Sequence, residues 1–75
     1  MPSRSQQAER LAKVVDYLIM GATNIERQRV LIRELALDGH DTTEAYKSLE
    51  RLEELQAIYS HDKDRLIAWL ASVHP

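Results

Sequence analysis

The chain has 75 residues and no cysteine, which limits it to one small domain and excludes disulfides, thiolate metal sites and a cysteine nucleophile. Ten basic and twelve acidic residues leave a net charge of −2, without the basic excess of a nucleic-acid-binding domain. Two glycines and two prolines in a chain rich in Leu, Ala, Glu and Arg point to an all-α fold.

The amino-terminal run MPSRSQQAER is polar and lacks the apolar core of a signal peptide, so a cytoplasmic location is expected. No apolar stretch is long enough to span a bilayer, and no membrane partner is expected. Residues 1–75 are read as a single domain, with residues 1–4 as a flexible tail. Ser3, with Gln6 three residues later, is a capping box for the first helix.

Apolar residues then recur at Leu11, Val14, Val15, Leu18, Ala22, Ile25, Ile32, Leu35 and Ala36, the spacing of one helix face. This predicts a first helix over about 5–38. A competing signal lies inside it. Gly21 could end a helix, and Thr23 with Glu26 three residues on could start another, giving three helices over roughly 4–20, 24–38 and 42–73. The steps of four and three from Leu11 through Val15, Leu18 and Ala22 to Ile25 run without a stutter, which favours one continuous helix. Gly21 then costs up to about 1 kcal/mol relative to Ala.

The segment DGHDTTE, residues 38–44, reads as a tight turn. Gly39 supplies a left-handed helix terminus, and Asp41 with Glu44 forms an acidic capping box for the next helix. His40 has no such structural task, and His40, Asp41 and Glu44 together offer at most a partial metal site. The next histidine, His61, lies roughly 30 Å further along, so no metal or cofactor is expected. The cluster from His61 to Arg65 reads as a solvated face.

A second helix over about 42–73 follows from Ala45, Leu49, Leu52, Tyr59, Leu66, Leu70 and Val73, with Gln56 and Lys63 in the two gaps. Pro75 suggests fraying at its end. So short a link folds the helices into an antiparallel hairpin. Counting back from the turn sets Leu35 near Ala45, Ile32 near Leu49, Ile25 near Gln56, and Gly21 and Ala22 opposite Tyr59. Leu11 and Val14 then face Leu66, Leu70 and Val73.

One hairpin seam leaves apolar residues uncovered, which favours a homodimeric four-helix bundle or docking on a larger protein. The expected contact residues are Ile19, Met20, Val30, Leu37, Ile58 and Trp69, with Arg29 and Arg33 setting specificity at the rim.

The run IERQRVLIREL, residues 25–35, followed by DGHDTTEA, residues 38–45, resembles short helical-hairpin proteins of alphaproteobacteria that share an RQR…GHDT pattern. The resemblance covers about residues 24–60. It implies a helical hairpin and brings no activity with it.

No nucleophile–base spacing, phosphate-cradling glycine loop or H-E-x-x-H motif occurs, so an enzyme is not expected. The sequence reads as a non-catalytic protein–protein interaction module: a small regulator, adaptor or accessory subunit. The alternative is a small DNA-binding transcriptional regulator using Arg27, Arg29 and Arg33. Interleaved Glu26 and Glu34 and the lack of a short recognition helix argue against nucleic acid as the partner.

Overall fold

The structure, a computed structural model, describes residues 2–72. It is a hairpin of two antiparallel helices, α1 (Arg4–Leu37) and α2 (Thr43–Ser72), with no strand among the described residues. The hairpin is a rod of 59 × 15 × 14 Å.

The start of α1 is a complete capping box. The Gln6 N–H donates to Ser3 Oγ at 3.0 Å, and the Ser3 N–H donates to Gln6 Oε1 at 3.1 Å. Ser3 and Arg4, expected in the tail, are therefore the cap and first residue of the helix. α1 then runs unbroken through Gly21, so the three-helix alternative does not form. Thr23 does not cap a new helix: its hydroxyl donates back to the Ile19 carbonyl at 3.3 Å, the bond a threonine makes inside a helix.

α1 ends in a full Schellman motif. Gly39 has φ 77°, its N–H donates to the Ala36 carbonyl at 3.1 Å, and the His40 N–H donates to the Leu35 carbonyl at 2.9 Å. The entry to α2 differs from the expected capping box. The Tyr46 N–H donates to the Thr42 carbonyl at 2.9 Å, which makes Thr42 the cap residue. Asp41 sits one position earlier, and its Oδ1 accepts from the Thr43 N–H at 2.9 Å and from the Thr43 hydroxyl at 2.7 Å, closing an Asx turn. Glu44 pairs with Lys47 at 3.4 Å instead of returning to the cap.

The seam of α1 is formed by Leu11, Val14, Leu18, Gly21, Ile25, Gln28, Ile32 and Leu35, all buried or half-buried. The α2 side is Ala45, Leu49, Leu52, Gln56, Tyr59, Lys63, Leu66 and Leu70, with the same property. Alternating steps of three and four average 3.5 residues, the period of a left-handed coil. The α2 series matches the sequence reading, except that Val73, like Pro75, lies outside the described residues. On α1, Val15, Ala22 and Ala36 are exposed beside the seam, and Gly21 and Gln28 take seam places that an apolar pattern cannot reveal.

The register also differs from the simple count. Gly21 faces Gln56 and not Tyr59, while Tyr59 stacks on Tyr17 with ring centroids 5.2 Å apart. Gln56 meets Gly21 and Leu18, not Ile25. Gln28 Nε2 donates to the Ala45 carbonyl at 2.9 Å, and Arg10 reaches Asp62 at 3.3 Å. The shift is about one helical turn. Residues 40–42 are not helical, and an extended residue advances roughly 3.3 Å against about 1.5 Å in a helix. The link therefore carries the chain further back along α1 before α2 begins.

Candidate interaction surfaces

With the seam settled, helical geometry assigns every other side chain to one of two flanks or to an outer back. On the first flank, Tyr17, Met20, Asn24 and Leu55 surround a notch of about 140 Å³ floored by Gly21, Leu52, Gln56 and Tyr59. Ile58, one turn beyond Leu55, extends this apolar patch. Lys13, Arg27, Arg51 and Arg65 rim it, while the Arg10–Asp62 pair and Trp69 lie towards the open end of the hairpin.

The second flank carries Val15, Ile19, Ala22 and Arg29 from α1 and Tyr46, Glu53, Ala57 and Ile67 from α2. Glu26 and Arg33, paired at 3.9 Å, lie along its α1 edge, and Glu50 along its α2 edge. A groove of about 870 Å³ beside Tyr46, Glu50, Glu53 and Ala57 runs down the α2 side.

The expected contact residues do not share one face. Met20 and Ile58 fall together on the first flank, at 60% and 62% exposed. Ile19, at 61% exposed, belongs with Arg29 and Arg33 on the second. Val30 and Leu37 lie on the outer back of α1, with Leu37 86% exposed at its last position. Trp69 is only half-buried surface of the hairpin itself: it lines a cavity with Pro2, Gln7, Arg10 and Asp62 where α1 begins. Tyr17, Leu55, Val15 and Ile67, absent from the expected set, are all exposed flank residues. The phase of Tyr17 and Val15 becomes readable only when Gly21 and Gln28 are counted in the α1 seam, whereas that of Leu55 and Ile67 follows from the α2 series.

The turn gathers no metal-ligand set: among the described residues no three His, Asp or Glu side chains come together. The two hydrogen bonds from Thr43, that of the hydroxyl foremost, hold the Asp41 carboxyl below its ordinary pKa. Among the described residues, no helix is long and apolar enough to cross a membrane.

Compared with known protein families, curated proteins and solved structures, the chain shows no significant match.

Proposed function

We propose that this chain is a non-catalytic protein–protein interaction module, a small regulator or accessory subunit, whose fold is completed by a second copy of itself. The observation that supports this reading is uncovered area. The hairpin exposes 5811 Å², whereas a compact monomer of this mass exposes about 4,700 Å². The excess, about 1,100 Å², is of the size each partner buries in a standard interface, about 800 Å². Among the described residues only Val14, Ile32 and Leu66 are buried, while Ile19, Met20, Leu55, Ile58 and Ile67 are among the large apolar side chains left exposed. Covering each such side chain contributes about 1.5–3 kcal/mol. A cytoplasmic setting suits a chain without cysteine.

Sedimentation equilibrium across the micromolar range tests the proposal. A dimer at tens of micromolar is the expected result, and a monodisperse monomer there overturns it. Salt-sensitive binding to duplex DNA by a monomer would favour the regulator alternative instead.

A further inference from the structure

Resting on the self-association just proposed, we infer that the second copy covers the Val15–Ile19–Ile67 flank, related by a two-fold axis parallel to the rod. The opposite flank, around Tyr17 and Met20, then faces outward.

The choice between flanks follows from charge and from symmetry. A two-fold axis along the rod keeps both turns at one end, and it lays α1 of one copy against α2 of the other at equal distance from the turn. The contacts within one hairpin calibrate that distance: Arg10 lies level with Asp62, Tyr17 with Tyr59, and Gly21 with Gln56. On the first flank this operation sets Arg27 near the partner's Arg51, and Lys13 between the partner's Arg65 and an Asp62 that Arg10 already engages in its own hairpin. None of Arg27, Arg51, Lys13 and Arg65 has an ion pair within its own hairpin among the described residues. Like charges that meet in an interface oppose it.

On the second flank the same operation produces a different meeting. Arg29 comes within side-chain reach of the partner's Glu50, and Arg33 approaches the ring of the partner's Tyr46. Glu26 also falls level with the partner's Glu50, but it is already engaged by Arg33. This flank as a whole sets the cations Arg29 and Arg33 of α1 against an α2 strip whose charged residues are the acids Glu50, Glu53 and Asp64. Further from the turn, Ile19 falls level with the partner's Ala57, and Val15 with the partner's Ser60. Ala8 and Ala12 face the region of the partner's Ile67 and Ala71. Small residues along both strips let the helices approach closely, while Val15, Ile19 and Ile67 provide the apolar area. The product is a four-helix bundle in which every neighbouring pair of helices is antiparallel.

This arrangement assigns Arg29 the role of a specificity residue: it gains an acidic partner from a second copy placed in this way, and it forms no ion pair among the described residues of its own hairpin. It also makes the interface isologous, so the assembly closes at two chains.

Because the chain has no cysteine, single introduced thiols report the geometry without background. Ile19→Cys and Ala57→Cys chains are prepared separately, mixed, and exposed to mild air oxidation. The expected result is a disulfide-linked dimer from the mixture and none from either variant alone, since Ile19 faces the partner's α2 and not its α1. Arg29→Glu should weaken the dimer at least tenfold by sedimentation, and Glu50→Arg in the same chain should restore most of the loss.

A chain that dimerises but crosslinks through Met20→Cys mixed with Ile58→Cys, and not through the second flank, overturns this inference and leaves the self-association standing. Crosslinking of Ile19→Cys with itself overturns the axis. A monomer at tens of micromolar removes both. Circular dichroism on each variant establishes that the helices persist.

Discussion

The carboxamide of Gln56 occupies the space where a side chain on residue 21 would stand: a Cβ built on Gly21 would lie 2.9 Å from Gln56 Cδ. From that position Gln56 Nε2 donates to the Leu18 carbonyl at 2.7 Å. A glycine that weakens α1 locally thus admits a polar side chain to the seam, which in turn pins one helix against the other. Gln28, reaching the Ala45 carbonyl from the opposite helix, repeats the device nearer the turn. Half-buried polar groups in an otherwise apolar seam set register, because a slipped alignment strands them without partners.

The pair makes the effect of Gly21→Ala depend on residue 56. Alanine at 21 gains about 0.5–1 kcal/mol of helix propensity. In the natural chain it must displace Gln56 and break that hydrogen bond, whose net worth is about 0.5–1.5 kcal/mol, so the substitution is neutral to destabilising. In a Gln56→Ala background the obstacle is gone and Gly21→Ala stabilises. Urea unfolding of the four chains of this cycle checks the change of sign, and the same effect in both backgrounds would refute the account.

At Gly39 the expectation is simpler. Its φ of 77° lies where a Cβ is strained, yet nothing stands within 4 Å of the position a Cβ would take. Gly39→Ala therefore costs about 1–2 kcal/mol through backbone strain alone, and Gly39→Asn costs less. Thermal unfolding should rank the three chains in the order Gly, Asn, Ala.

Asp41 supplies the pH dependence. Its carboxyl is held below the ordinary value by the Thr43 hydroxyl and N–H. A depressed carboxyl stabilises the fold above its unfolded pKa of about 3.9, and the stabilisation is lost as pH falls through the lower folded value. The contribution is complete at neutral pH and disappears in acid below about pH 4. Asp41→Asn should flatten that part of the acid-unfolding curve, as followed by circular dichroism.

Trp69 and His40 separate packing from decoration. Trp69 is half-buried beside Leu66 and the start of α1, whereas His40 is exposed and contributes only its backbone N–H to the turn. Trp69→Ala should lower the melting temperature by several degrees, the equivalent of about 1 kcal/mol or more in a domain this small. His40→Ala should stay within about 0.5 kcal/mol of the parent.

Some features of this fold are local and others are not, and the sequence reading divides along that line. The capping box at Ser3 and Gln6, the left-handed Gly39 and the α2 seam from Ala45 to Leu70 were legible, since each depends on residues three or four apart. The Asp41–Glu44 box was misread. Asp and Thr side chains have several nearby amides to choose from, and Thr43 offered Asp41 two donors at once.

Composition and spacing alone determined that this chain makes two long helices joined at Gly39, because helix periodicity and capping are short-range physics. Only the tertiary structure decided how the helices face each other: the advance of the non-helical link set the register, and Gln56 in the hollow at Gly21 held it there. That choice also sorts Ile19 from Met20 and puts Trp69 against α1. Which greasy residues share a flank depends on a rotation about the helix axis, and only contact with the other helix fixes that angle.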